Sequence, residues 1–317
     1  MGIAGLWPFL RKKGYDPTLR HFSSLSPIPN QCCIRVDILG SLYMAIRSAY
    51  SSHPLTVAHS IVEQNIQKLG DKTALVLYLD GGASEEKRQT QLLREGRRKD
   101  ALDRANTHLK ELELRVVGKL HVRKHHFLGV RKNLSAAYAW PMEARQAFAE
   151  YLRSRGWNVV TCDTEADIRI AFDCRAGDVV VSRDSDMLMY RNITTIWRPI
   201  SYDRFLVYEL PGVLTTLGID RTQFTALGIV SRNDYNRNIY SLGSATNFSI
   251  IKELAAGDVP AIVSQYLADN RVARKNTLDE DLAASQRVFV TMMQTPLQTT
   301  DQSNSPAEPT ISYEELR

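Results

Sequence analysis

Three short apolar runs along the chain each end in an acid: Cys33-Ile34-Arg35-Val36-Asp37, Ala74-Leu75-Val76-Leu77-Tyr78-Leu79-Asp80 and Asp178-Val179-Val180-Val181-Ser182-Arg183-Asp184. Runs of this kind read as strands buried on both faces, each with a carboxylate at its C-terminal end. Between them, apolar residues recur at helical spacing over 39–49, 57–69 and 142–155, the last opened by Pro141 and closed by Gly156, where proline and glycine suit a helix start and stop. Further strands are expected at 158–161, 194–197 and 205–209. The alternation predicts an α/β fold, a mostly parallel twisted sheet flanked by helices on both faces. Ligands of such sheets sit at the carboxyl ends of the strands, so acids from three strands fall on one edge. From Pro211 onward, short helical stretches broken by Gly218, Gly228 and Gly243 predict a helical subdomain. From about Thr295 the chain is rich in Gln, Thr, Ser and Pro; so little apolar content cannot offset the entropy of ordering, which predicts a disordered tail over 295–317.

Composition narrows the class. With 317 residues, 44% hydrophobic and 24% charged, the chain can bury one or two full cores. No apolar run reaches the length of about 18 residues that a membrane span needs, and Arg11, Lys12 and Lys13 follow the N-terminus too soon for a secretory signal. Acylation of Gly2 is not expected, because Leu6 stands where Ser or Thr is required. Cys32, Cys33, Cys162 and Cys174 lack zinc spacing, as reduced thiols of an intracellular protein do. The net charge of +5 hides an asymmetry. Between Lys87 and Lys132 there are fourteen Lys or Arg against five acids, so this segment carries +9 and everything outside it sums to −4. One sign at this density attracts polyanions.

The acids also come in pairs. Glu165 and Asp167 sit in Asp163-Thr164-Glu165-Ala166-Asp167, and Asp184 and Asp186 in Ser182-Arg183-Asp184-Ser185-Asp186. Thr164 followed by Asp167 also fits a helix N-cap with an acid at its third position, a purely structural reading. Joined with Asp37 and Asp80, however, these like charges at one sheet edge repel unless cations neutralise them. Hard oxygen ligands without a His or Cys partner point to Mg²⁺ or Mn²⁺ rather than zinc. His121, His125 and His126 have no thiol nearby and are not read as a zinc site. Two divalent ions about 4 Å apart can activate water and stabilise the leaving oxygen of a phosphoryl displacement. A basic segment beside such a site suggests a nuclease.

The motifs resemble the structure-specific 5′ nucleases, which include flap endonucleases, XPG-type repair nucleases and their exonuclease relatives. The resemblance rests on Met1-Gly2-Ile3-x-Gly5-Leu6, Val36-Asp37 with Tyr43 six residues on, Leu79-Asp80-Gly81, Glu165-Ala166-Asp167, Arg183-Asp184-Ser185-Asp186 and Asn233-Asp234-Tyr235, over roughly residues 1–255. It implies a PIN-like nuclease core in two halves (1–83 and 136–210), a basic helical arch or gateway (84–135) and a helical subdomain resembling helix-two-turn-helix (211–294). It implies further that Asp37, Asp80, Glu165, Asp167, Asp184, Asp186 and Asp234 hold two Mg²⁺ or Mn²⁺ ions. Lys87 and Arg94 match the pair that reaches the scissile phosphate, and their spacing of seven sets them on one helical face. Tyr43 matches a base-stacking tyrosine, with a core aromatic as the alternative. The amine freed at Gly2 is expected near the metals. Arg97, Arg98, Lys99, Arg123, Lys124, Arg131 and Lys132 are expected to meet phosphates, and the backbone around Gly243 a duplex, with a monovalent cation beside it. The expected partner is DNA with a duplex/single-strand junction or a 5′ end, and the expected location nuclear, with mitochondrial residence as the alternative.

The pattern departs from the family in two places. Arg232-Asn233 precedes Asp234 where the family has Gly-Ser, which sets bulk and charge beside that carboxylate, and Ser241-Leu242-Gly243-Ser244-Ala245 replaces Gly-x-Gly-Pro-Lys. One glycine and a lysine of the duplex-gripping motif are thereby lost. A Gln-x-x-Leu-x-x-Phe-Phe sliding-clamp motif is absent from the sequence, so no clamp partner is expected. Two other functions remain open at this point, a catalytically silent nucleic-acid-binding scaffold and a nuclease acting on RNA.

Overall fold

The computed structural model describes residues 2–24, 32–201, 203–237 and 239–292; the expected disordered tail, 295–317, lies outside the described residues. The strands are β1 (Thr18–His21), β2 (Ile34–Asp37), β3 (Leu75–Leu79), β4 (Asn158–Thr161), β5 (Val179–Val181), β6 (Thr195–Pro199) and β7 (Arg204–Glu209). Among the described residues they form one sheet in the order β1-β7-β6-β5-β2-β3-β4. Strands β4, β3, β2, β5 and β6 run parallel, whereas β7 is antiparallel to both β6 and β1. The sheet is therefore mixed at one side. The connection from Pro199 to Arg204 is too short for a crossover and forces a hairpin. Strand β1 escapes the apolar pattern because all its residues are exposed; it is an edge strand held through Leu19 opposite Leu206 and its neighbours.

The helices are α1 (Leu6–Lys12), α2 (Ile38–Ser52), α3 (Leu55–Gln67), α4 (Arg88–Val117), α5 (Lys124–Ala137), α6 (Met142–Ser154), α7 (Ala166–Asp173), α8 (Leu210–Leu217), α9 (Arg221–Val230), α10 (Ser244–Glu253) and α11 (Val259–Ala268). Side chains alternate across a strand, which splits the core into two layers. Leu75, Leu77 and Leu79 of β3 pack with Val62 of α3 and Phe148 of α6. Tyr78 of the same strand, with Val180 and Ile196, packs on the other face against Leu10, Ile170 and Phe224. The basic segment stands out from this body as a helical hairpin: α4 and α5 lie side by side, and Ala101, Ala105 and Leu112 are the buried positions of α4.

At the amino ends of β2 and β5 the buried charges are matched. Arg35 donates through Nε and Nη2 to Asp178 (both 2.8 Å) and through Nη1 to the Tyr78 hydroxyl (2.6 Å), while Asp178 also accepts from the amides of Cys33 and Arg175 (both 2.9 Å). A buried ion pair loses most when one partner is removed and the other remains. Arg35→Ala is expected to destabilise the fold by about 3–5 kcal/mol, read as a lower urea midpoint; a loss within 1 kcal/mol would show that Asp178 is satisfied by its backbone donors alone.

Candidate active site

The parallel order brings the C-terminal ends of β2, β3 and β5 side by side, and their acids with them. Asp37, the last residue of β2, caps α2: one carboxylate oxygen accepts from the Gly40 amide and the other from the Ser182 hydroxyl (both 2.8 Å). Asp80 follows β3 and accepts from the Ala166 amide (2.9 Å), so it satisfies the first turn of α7 from another strand. Gly81 permits this approach. Its amide bonds to the Thr164 carbonyl (2.8 Å), and a Cβ there would stand 2.5 Å from the Asp163 carbonyl oxygen. Thr164 is consequently not the cap of α7, contrary to the structural reading of its sequence. The N-cap is Glu165, its carboxylate is turned away from the helix, and Asp80 takes the free amide.

Glu165 instead gathers three donors: Ser84 Oγ at 2.6 Å, Lys87 Nζ at 2.5 Å and the Tyr235 hydroxyl at 3.0 Å. Asp234, in the loop after α9, accepts from Arg94 at 2.7 Å and lies 3.8 Å from Lys87. Lys87 belongs to the short turn before α4 rather than to that helix, yet both cations reach the same carboxylate. Asp184 accepts from the Asp186 amide (3.2 Å), whereas Asp186 Oδ1 is buried with no hydrogen-bond partner. Gly2 (φ +90°) lies against this pair; a side chain there would strike the Asp184 carboxylate and come within 2.6 Å of Ser185 Oγ.

Electrostatics follow from that crowding. Burial, and then Asp80, push the Asp37 carboxyl up to about 7 despite its two donors. Burial raises Asp167 and Asp186 well above the ordinary carboxylate range, with Asp37 and Asp184 respectively as the strongest repelling neighbours. Burial opposes the charge of Lys87, but Asp167 and Glu165 outweigh it and hold the ammonium protonated. Among the described residues, no three His, Cys, Asp or Glu side chains already stand close enough to share one ion. The donor set nevertheless fits a hard divalent cation, being all oxygen, crowded with like charge and left with an orphaned oxygen on Asp186.

The remaining candidates lie farther out. Tyr43 is half buried, its ring edge-on to Tyr138 at 6.4 Å, so it is not a core aromatic. Arg98 is half buried, and its charge is felt by Arg145, itself near Asp80. Arg97, Lys99, Arg131 and Lys132 are exposed along the hairpin. Arg123 and Lys124 stand at its tip, about 35 Å along α4 from Arg94 at 1.5 Å per residue, so the fold does not bring them to the carboxylates. Gly243 caps α10 beside a cavity of about 310 Å³ that is also lined by Ala4, Arg232 and Ser241. Asn233 differs from its expected effect beside Asp234. Its side chain accepts from the amides of Tyr235 and Asn236 and from Ser285 Oγ and donates to carbonyls ending α9, which staples the loop, while Arg232 is exposed. Ser84, Arg145 and Tyr235 were missed as site residues; only Tyr235, next to Asp234, carried a sequence signal.

Because Asp37 binds a proton in the folded chain at a pH where the unfolded carboxyl, near 3.8, has lost it, stability in chelator is expected to fall as pH rises from about 4 towards about 7. Thermal melts across that range check it, and a flat profile would show that Asp37 is not held up. Asp186→Asn removes a buried acid whose ionisation is opposed by burial and by Asp184. At pH 8 in chelator it is expected to melt a few degrees above the unaltered chain and, on adding Mg²⁺, to gain less stability than the unaltered chain is expected to gain.

No protein-family model matches the chain, and no curated protein matches it in sequence. Solved structures do match in fold. The catalytic core of Rad2 in complex with DNA substrate is 14% identical with a TM-score of 0.52, over 91% of this chain and 85% of that one. Flap endonuclease-1 from Methanococcus jannaschii is 17% identical with a TM-score of 0.52, over 87% and 82%. A eukaryotic junction-resolving enzyme, GEN-1 binding with cesium, is 11% identical with a TM-score of 0.51, over 93% and 66%. With its mixed sheet, flanking helices and acidic strand ends, the chain has the fold of the structure-specific 5′ nucleases.

Proposed function

We propose that this protein is a metal-dependent phosphodiesterase, a structure-specific 5′ nuclease acting on branched or 5′-ended DNA. The observation that supports the reading is the crowding of Asp37, Asp80, Glu165, Asp167, Asp184, Asp186 and Asp234, whose charges act on one another and on Lys87, with Arg94 paired to Asp234. These seven acids would hold two Mg²⁺ or Mn²⁺ ions. When bound, such a pair supplies Lewis-acid polarisation of the phosphate and a lowered pKa for the attacking water.

The chain's own groups do the rest. Lys87 and Arg94 present positive charge at Glu165 and Asp234, where a phosphate entering the crevice meets donors already oriented for its developing charge. Glu165 is kept in place by Ser84 and Tyr235, so its geometry does not depend on Lys87 alone. Tyr43 offers a partly open ring to an unpaired base. The fourteen cations between Lys87 and Lys132 supply the phosphate contacts, and the Rad2 core of like fold is itself in complex with a DNA substrate. The cavity beside Gly243 has no acidic lining and shares its wall with Arg232, so a monovalent cation there would rest on neutral oxygens against a guanidinium.

Cleavage of 5′ flap, nicked, bubble, four-way-junction and blunt substrates, each as DNA and as RNA, tests the reading. Activity is expected on DNA with Mg²⁺ and not in chelator. Asp184→Asn is expected to abolish cutting while leaving binding; equal cutting by both proteins would remove the site assignment. Lys87→Ala and Arg94→Ala are expected to lower kcat by about 10²-fold or more with smaller changes in KM. A pure rise in KM would make them ground-state phosphate anchors instead.

A further inference from the structure

The carboxylates are also tied to the place where the hairpin returns to the body. Arg145 lies in the first turns of α6, just after the segment 138–141 that joins α5 to α6. Its Nε donates to the Trp140 carbonyl (3.1 Å) and its Nη1 to the Gly81 carbonyl (3.5 Å). One guanidinium therefore spans from the end of the hairpin to the turn after β3, and Gly81 is the residue next to Asp80. The Trp140 end of this bridge is firm, because the indole is buried and packs against Tyr50 and Phe148.

The charges around Arg145 point the same way. It is half-buried, and among the described residues it forms no ion pair with any carboxylate. Burial opposes its charge, Asp80 and the Tyr138 hydroxyl favour it, and Arg98 of α4 repels it. A desolvated cation beside a like charge is unfavourable by itself, so the two carbonyls and the Asp80 carboxylate are what hold it there. Asp80 in turn feels two cations, Lys87 and Arg145. Lys87 is bonded to Glu165 and lies beside Asp234; Arg145 has no second carboxylate to serve. We propose that Arg145 is a positioning residue for Asp80: by bridging the Trp140 and Gly81 carbonyls it fixes the turn that carries this carboxylate, and it joins the return of the hairpin to the edge of the crevice where cations would be held. The role rests on the metal-dependent reading of that crevice.

The test compares the full chain with Arg145→Ala and Arg145→Lys by thermal melting, with Mg²⁺ titrated in the absence of DNA, and by affinity for a 5′ flap DNA in chelator. Arg145→Ala is expected to need about tenfold more Mg²⁺ to reach half of its thermal shift, as when a group that orients a metal ligand is lost, while binding the flap in chelator as the full chain does. Lysine keeps the charge but not the planar fork that reaches two carbonyls, so Arg145→Lys is expected to behave like the alanine variant. Full recovery in the lysine variant overturns the proposal, since charge without the bridge would suffice. A lower melting point in chelator with an unchanged Mg²⁺ midpoint would make Arg145 a brace of the fold alone, and weaker flap binding in chelator would make it a phosphate contact; either result overturns the proposal. Cleavage is read separately: if the Mg²⁺ midpoint moves as expected but the full chain cuts no substrate, the nuclease reading fails and the positioning role stands. Absence of any Mg²⁺ shift in the full chain overturns both.

Discussion

The fold is organised around like charges that it holds together against their own repulsion. The same parallel strands begin and end differently. At their amino ends Arg35 and Asp178 neutralise each other inside the core; at their carboxyl ends Asp37, Asp167, Asp184 and Asp186 are buried with too few positive partners. Burial disfavours a charged carboxylate, and each neighbour of the same sign adds to the penalty. The matched end can stabilise the sheet while the unmatched end stores a demand for cations.

Part of that demand is met from within the chain. Lys87 lies between Glu165 and Asp234, and Arg94 completes the neutralisation of Asp234. Both cations arrive from the start of the basic hairpin, so its base is tied to the crevice through ion pairs, while Thr90 adds a hydrogen bond to the Asp234 carbonyl (2.6 Å). Beyond that root, among the described residues, α4 packs mainly against α5. Any movement of α4 therefore alters the electrostatic balance at the carboxylates.

The C-terminal helices act on the same edge from the other side. Asn233 and Ser285 brace the loop that presents Asp234, and the Ala4 amide donates to the Arg232 carbonyl (2.8 Å), which locks the N-terminal turn onto that loop. Gly2 is thereby pressed against Asp184. Distant segments of the chain converge on one crevice, and the bulk introduced by Arg232 is directed outward rather than into it.

The local pattern was sufficient for the strands that carry Asp37, Asp80 and Asp184, because a buried strand needs an uninterrupted apolar run and a carboxylate can stand only where that run ends. It was sufficient also for the basic segment, since charge density is a property of composition. It was silent on β1, whose exposed residues have no periodicity, and on the antiparallel turn of β7. It misjudged Thr164, because a cap can be supplied through space, and Asp80, 86 residues away in sequence, reaches the Ala166 amide first. The roles of Ser84, Arg145 and Asn233 were decided by tertiary structure alone. Each depends on which side chains face one another after the strands pair, and a residue's own neighbours in sequence hold no record of that.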